Sequence, residues 1–489
     1  MLVTVRIVQW VLMSDKIFAY EIETDIPDGY MKNLMGFVRK SYIDSQRQRF
    51  RNLTTTVSDG SASLAFGIVK ESGEHVADVE IRGGKPLKLK VSGVSDADSE
   101  HVADGIREDV TILANLFEDN VRKSTLYFAW TEGKKGILPE KLRAGGAKSL
   151  NRIFLETQIL FFMLFILISA FLLPVITWFT PIVLLAVQFV FVLFSSKLIA
   201  RTADWRITKE NPTVHLLEYH LPMGEHESFK ELLSKVDVLK LKKEIYDRTI
   251  AERGEIDCRT VQELFGKFGL PCNSDNLVSR KVNAYELVQN TATRYGFPMP
   301  EIVVSNTMLP NAAASGPSPS HGIVLMTSGL FVELDDEEIT SVLGHEFGHL
   351  KGRDPLYLFG LTGLQYLFMF YVLFPYISSN IILFFVYLWA SLTFIFFVAK
   401  FFEARADLLS AMVIGKPKVL ARALERIGFK RLLYERVPMG RIQEWLGLDP
   451  HPPIYFRISR LRGVQTPAKI KHPLLQSAKD VVRGFISSL

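Results

Sequence analysis

Two long uncharged stretches constrain this 489-residue chain more than any other feature. Thr157 to Ser196 and Pro355 to Ala399 contain no Asp, Glu, Lys or Arg. A bilayer is crossed by about 20 apolar residues in a helix, so each stretch is long enough for two crossings. Pro174, Trp178 and Pro181 sit near the middle of the first, and Pro375 to Asn380 marks a break in the second; both are predicted turns. Lys148 and Arg152 precede the first stretch, Lys197, Arg201 and Arg206 follow it, and Arg353 and Lys400 bracket the second. Basic flanks stay on the cytoplasmic side. The chain is thus predicted to be an integral protein of the cell membrane, with two helical hairpins (four spans) and both termini cytoplasmic.

The remainder is predicted to be an α+β multi-domain arrangement. Residues 1–150 are read as a soluble α+β domain of unknown role, with strands at Val3–Leu12, Leu64–Val69 and Thr125–Thr131 and amphipathic helices at Tyr30–Ser45 and Ser99–Asn120. The first hairpin is placed at 153–198 and a charged, mostly helical connector at 199–279. A mainly helical domain follows in two parts, 280–354 and 401–465, split by the second hairpin at 355–400. The tail, 466–489, carries no evident signal. Arg6, Gln9 and Asp15 interrupt the first apolar run, so no signal peptide is expected. The net charge of +5 is spread out and no basic stripe interleaves with aromatics, which argues against nucleic acid. Cys258 and Cys272 are too far apart for a Cys-x-x-Cys site and give no disulfide framework, in keeping with a reducing compartment.

Chemistry concentrates between Asp335 and Asp354. Asp335 is a suitable N-cap, with Glu338 three residues on as in a capping box. Ile339, Leu343, Phe347 and Leu350 recur at helical spacing and are predicted to face a core, and Gly352 and Pro355 to end the helix. His345 and His349 are four apart, so both rings leave one face and can share a metal ion. Glu346 lies between them, placed to act on a water at that metal without binding the metal itself. This is the His-Glu-x-x-His pattern of zinc peptidases. The alternative is a surface helix that happens to carry two histidines; the caps, the apolar face and the room left by Gly344 and Gly348 favour the metal.

Elements on either side converge on this helix. Arg280–Tyr295 is predicted to be a helix, and Glu301–Ser305 and Gly322–Met326 to be strands, with Asn311-Ala-Ala-Ala-Ser-Gly316 between them. Small side chains at Asn311, Ala312, Ala313 and Ala314 suit an edge strand against which an extended peptide pairs, although an ordinary small-residue loop reads the same way. The second hairpin goes out and back, returning Glu403 and Asp407 towards the histidines. Glu403 is placed to be the third metal ligand, and Asp407, one turn on, to hold a histidine ring by a hydrogen bond. A solvated helix start outside the membrane is the alternative. Glu337 and Glu338 sit on the histidine helix itself, and Asp354 lies past the Gly352 break, bound for the membrane. Helices are expected around Lys418–Ile427 and Arg441–Leu446. Pro450, Pro452 and Pro453 fix His451 in a loop before another helix, where a fixed histidine or arginine could face a tetrahedral oxyanion. His215, His220 and His226 read as scattered surface histidines.

Taken in order, Asn311–Gly316, His345-Glu-Phe-Gly-His349, Glu403-Ala-Arg-Ala-Asp407 and His451-Pro-Pro with Arg457 resemble the membrane-embedded gluzincin peptidases, the family of the heat-shock protease HtpX and the CaaX prenyl proteases. The resemblance covers about Arg280 to Leu461. It implies a zinc endopeptidase with one Zn2+ per chain and its active site at the cytoplasmic membrane face. It implies His345, His349 and Glu403 as ligands, Glu346 as catalytic acid and base, Asp407 behind the ligands, and His451 or Arg457 supporting the transition state or the ligand shell. The strand near Asn311 would bind substrate. Polypeptide substrates that are themselves membrane proteins, and the bilayer, are the expected partners. Residues 1–150 and the long 202–279 segment depart from the family pattern. Three functions follow: quality control of misfolded or membrane-associated proteins, favoured; processing of prenylated C-termini, whose enzymes usually have more spans; and an inactive membrane scaffold, for which the intact motif is an obstacle.

Overall fold

The structure, a computed structural model, describes residues 16–132, 167–220, 238–267 and 277–489, less one to four residues at a time inside those ranges. The expected strand at Val3–Leu12, the first arm of the first hairpin up to residue 166, and His226 lie outside the described residues. The chain forms two compact units that interleave in sequence. One comprises Met1–Tyr127, Leu217–Val238 and Asp257–Val278; the other comprises Phe128–Leu216, Leu239–Ile256 and Ser279–Leu489.

The first unit holds a five-stranded antiparallel sheet. In spatial order its strands are Lys16–Ile22, Leu87–Val94, His75–Arg82, Ser61–Val69 and Phe50–Ser58. Alternation fixes its buried face: Ala77, Val79 and Ile81 point inward from one strand and Leu87, Leu89 and Val91 from its neighbour, while Asp78, Glu80, Lys88 and Lys90 point away. Helices Met31–Val38 and Ser99–Lys123 close the core with Leu34, Met35, Val110 and Phe117. Leu64–Val69 and Thr125–Thr131 are strands as expected. The Tyr30–Ser45 helix is regular only over Met31–Val38, then widens over Arg39–Ile43 and tightens over Asp44–Arg49.

The second unit is built on a four-stranded sheet. Ala312–Ser315 forms one edge, followed by Ile323–Thr327, Glu301–Ser305 and Trp205–Ile207. The central pair is parallel, with Ile302 opposite Val324, and Ala313 pairs antiparallel with Leu325. The segment 199–279, read as a helical connector, thus supplies strand Trp205–Ile207, and Thr213–His220 within it is a strand as well. The β-branched and aromatic residues there alternate or run continuously into the core, which outweighs the charge between them. Likewise Arg280–Tyr295 is not one helix: Leu277–Asn283 is extended, and the helix begins at Ala284, where the Asn283 side chain accepts the Glu286 backbone N–H at 3.0 Å.

Asp336–Gly352 is the central helix of this unit. Asp335 and Glu338 form the reciprocal capping box, and Ile339, Leu343, Phe347 and Leu350 are all buried. Glu338 is fully buried at its side chain, where Arg422 and Arg426 pair with it. The helix ends differently from expectation: Gly352 is still helical, and Arg353 takes the left-handed conformation, φ 52°. A Cβ at Gly352 would collide with the Arg405 guanidinium, so this glycine serves close packing rather than chain reversal.

Three described helices are long and apolar enough to cross a membrane: Thr180–Lys197, Asp354–Tyr376 and Ile381–Ile414. The fourth expected span falls among residues outside the description. Tyr371 donates to the Trp178 carbonyl at 2.7 Å and the two rings meet at 5.1 Å, so the far ends of both apolar blocks lie together. Ile381–Ile414 is one unbroken helix of 34 residues that runs from the apolar block past Lys400 to Gly415.

Candidate metal centre

The histidine helix and the lower half of Ile381–Ile414 pack closely because small residues face each other. A Cβ at Gly344 would lie 2.6 Å from Ile414 Cγ1 and 2.7 Å from Ser410 Oγ. Tyr295 donates to the Gly344 carbonyl at 2.6 Å from the other side. The two helices thereby bring His345, His349 and Glu403 together: one ligand-capable atom from each lies within 4.8 Å of the others.

The orientation of the rings is set from behind. His345 Nδ1 lies 2.9 Å from Asp407 Oδ1, and His349 Nδ1 lies 2.8 Å from Asp354 Oδ2. Carboxylates there favour Nδ1–H on both rings, which leaves both Nε2 atoms as acceptors. Those two Nε2 atoms face each other at 3.2 Å, with Glu403 oxygens 3.4 Å from one and 3.3 Å from the other. Glu403 Oε2 is buried without a hydrogen-bond donor. Burial works against charge on both rings, but Asp407 and Glu403 around His345, and Glu403 and Asp354 around His349, outweigh it and hold both rings above the ordinary histidine range. The same carboxylates favour any positive charge in the pocket, either protons on the rings or a cation taken up by their unprotonated Nε2 atoms. Lone pairs of two imidazoles and one carboxylate converging on one point are a donor set that suits a divalent ion of the zinc type.

Each supporting aspartate is itself held by arginine. Arg457 clamps Asp407 through two hydrogen bonds, Nε–Oδ2 at 2.9 Å and Nη2–Oδ1 at 2.7 Å, and Arg405 pairs with Asp354. Sequence reasoning placed Asp354 at the membrane and left Arg405 without a role. The signal was the helix break itself: the left-handed turn at Arg353 swings the next residue back beneath His349. Arg457, expected with His451 to support either the transition state or the ligand shell, is buried and directs its guanidinium to Asp407 behind the ligands, with Glu403 Oε2 3.9 Å from Nη1.

His451 is different. Its side chain is 45% exposed and its Nε2 lies 3.6 Å from Glu403 Oε2. Asp449 Oδ1 accepts from the His451 backbone N–H at 2.7 Å and faces Nδ1 at 2.8 Å, so the loop presents Nε2 to the site. Asp449 is fixed in turn: Arg431 lies 3.0 Å from its carboxylate, and the fully buried Lys400 donates to its carbonyl. Burial disfavours the Asp449 charge, but His451 and Arg431 more than compensate and keep its carboxyl below the usual range. Glu435 accepts the backbone N–H groups of Ile454 and Tyr455 at 2.8 and 2.9 Å, capping the helix that carries Arg457. None of these supports was singled out from the sequence.

Glu346 points towards the edge strand, where its Oε2 accepts the Ala314 backbone N–H at 3.1 Å. Ala312–Ser315 is a true edge, half-buried, and lies along the same side of the helix as Glu346. His215, read as a surface residue, is buried on its strand with Glu132 3.3 Å away; burial holds it below the ordinary range.

The sequence profile described as Peptidase family M48 matches residues 279–465. A Protease HtpX homolog from Tropheryma whipplei is 30% identical over 233 residues, 41% of this chain and 80% of that protein. The chain belongs to peptidase family M48. This M48 chain is also 30% identical over 210 residues to a Protease HtpX homolog from Pyrococcus furiosus, 37% of the one and 72% of the other. A third, from Sulfurihydrogenibium sp., is 33% identical over 161 residues, covering 29% of this chain and just over half, 54%, of the relative. The crystal structure of S. mikatae Ste24p aligns with TM-score 0.30 at 20% identity, over 36% of this chain and 49% of that one. By family the chain is a membrane metallopeptidase.

Proposed function

We propose that this chain is a zinc-dependent endopeptidase that cleaves membrane-associated or misfolded membrane proteins at the cytoplasmic surface of the bilayer. The observation that carries this is the convergence of His345 Nε2, His349 Nε2 and an undonated Glu403 oxygen at the membrane end of a spanning helix. His345, His349 and Glu403 would hold the ion, which supplies Lewis acidity and lowers the pKa of a water towards about 7. Glu346 takes the proton of the attacking water and delivers it to the leaving amine. An extended substrate pairs with the edge strand Ala312–Ser315, just past Asn311, which lays its scissile carbonyl beside Glu346. In its imidazolium form, with Asp449 accepting Nδ1–H, His451 donates Nε2–H to the developing oxyanion, while Arg457 acts behind the ligands by holding Asp407. The joined far ends of the apolar blocks and their basic near ends support the cytoplasmic placement.

The test is cleavage of an unfolded membrane protein by the full chain in liposomes, with and without a chelator. Cleavage that stops on chelation and returns with zinc is the expected result. Metal-loaded protein that leaves such substrates intact but cuts a prenylated peptide would replace this function with C-terminal processing. Cleavage of neither would leave the scaffold.

A further inference from the structure

The helix Pro473–Ile486 falls in the tail that carries no sequence signal, yet it is anchored firmly. Arg460 reaches Asp480 Oδ2 and Ser477 Oγ, each at 2.9 Å, and the Ala404 carbonyl at 2.6 Å. Val481 is buried with Ala404 and Trp445, and the Phe485 ring lies 5.5 Å from that of Phe397. Those contacts set its depth. Residue 404 lies beyond the uncharged run and residue 397 lies inside it, so the helix descends along Ile381–Ile414 until Phe485 reaches the level of the last apolar turn.

A stripe beside the packed face stays uncovered: Leu475, Val482 and Ile486 are 69%, 41% and 63% exposed, at spacings of seven and four residues. Between this stripe and the spanning helix lies a cavity of about 580 Å³ lined by Phe401, Ala478, Lys479, Val482, Arg483 and Ile486. Its wall is apolar except for two exposed cations four residues apart, Lys479 and Arg483. Phe401 is two residues past the last uncharged position, Ala399, which puts the cavity at headgroup height. An amphipathic helix lying at the interface with cations along its polar border is the geometry that takes up lipid.

We propose that this cavity binds an anionic phospholipid of the surrounding bilayer, with Lys479 and Arg483 on its phosphate and Phe401, Val482 and Ile486 against its upper acyl chain. The site is independent of the candidate metal centre and of the proposed peptidase activity.

Native mass spectrometry of the detergent-purified full chain, titrated with phosphatidylglycerol or phosphatidylcholine, tests it. Each cation near an anionic headgroup is worth about fivefold in affinity (about 1 kcal/mol). The unmodified chain should prefer phosphatidylglycerol by roughly tenfold or more, and K479Q with R483Q should abolish the preference with thermal unfolding unchanged. Val482→Asp should weaken both lipids. K479Q alone should lose about fivefold, which keeps the test decisive where the double variant does not fold, and K479R with R483K should retain the preference. Equal binding of the two lipids, or a preference that survives removal of the cations, overturns the proposal.

Discussion

Asp354 Oδ2 lies 2.8 Å from His349 Nδ1 although the two residues belong to different helices. Asp354 is the first residue of a membrane helix, so the start of a span orients one ring of the candidate metal centre. With Arg405 behind it, the pair repeats the arrangement of His345, Asp407 and Arg457. Asp354→Asn keeps the shape and removes the charge. It should lower zinc affinity by about 10–100-fold, measured by competition with a chelator of known affinity. Unchanged affinity would reduce Asp354 to a packing residue.

Glu403→Ala and Glu346→Gln should separate binding from chemistry. The first removes an oxygen from the donor set and should empty the site and abolish cleavage together. The second should retain zinc by metal analysis while peptide hydrolysis falls by about 10²–10⁴-fold. Full zinc occupancy in Glu403→Ala after dialysis against a weak chelator would refute its assignment as a ligand.

His451→Ala should lower kcat by about 10²–10³-fold with zinc content intact, because its half-exposed ring borders the site outside the set His345, His349 and Glu403. Asp449→Ala frees the ring and should show a smaller loss in kcat at unchanged KM. A drop in bound zinc in either variant would instead make His451 part of the ion's support.

Gly344→Ala should destabilise the second unit by about 1–3 kcal/mol. The new methyl meets Ile414 and Ser410 at 2.6 and 2.7 Å, and one of the two helices must shift. A lowered Tm with zinc bound is the expected reading; an unchanged Tm would mean the contact relaxes freely.

Lys242 is buried beside the rings of Trp205 and Trp130, 5.3 and 5.9 Å from their centres. Burial pushes its ammonium down to about 8 from 10.5, only partly opposed by Asp204. Between those values the unfolded chain binds the extra proton, so stability should rise as pH goes from about 8 to about 10.5. Below 8 the buried charge is a standing cost of up to about 3 kcal/mol, at about 1.4 kcal/mol per pH unit. Lys242→Met should therefore raise the denaturation midpoint at pH 7 and remove its rise towards alkaline pH.

What the sequence made legible was local. The capping box at Asp335, the apolar row from Ile339 to Leu350 and the shared face of His345 and His349 follow from helical periodicity alone. So does the return of Glu403, because an uncharged hairpin must bring its ends to one surface. Asp354 was missed because the expected break near Gly352 tells where the helix ends but not which way the chain then turns, and a left-handed turn at Arg353, a non-glycine residue, has no strong local signature. Arg405, Arg431, Lys400 and Glu435 were missed for another reason: their partners lie 18 to 51 residues away, and only tertiary packing shows which buried charge meets which. The strand at Thr213–His220 and the helix at Pro473–Ile486 were hidden by charged residues that the fold turns outward or pairs.

The unbroken helix Ile381–Ile414 acts as a ruler. It carries Glu403 four residues beyond Ala399, the last uncharged position, which at 1.5 Å per residue is a height of about 6 Å. An extended chain rising from the bilayer covers that height in about two residues. A rod without a hinge holds the carboxylate at that height whatever sequence passes beneath it. Under the proposed activity, cleavage would be selected first by distance from the membrane and only second by side chains, so cut positions in different membrane substrates should cluster a few residues from the end of a span.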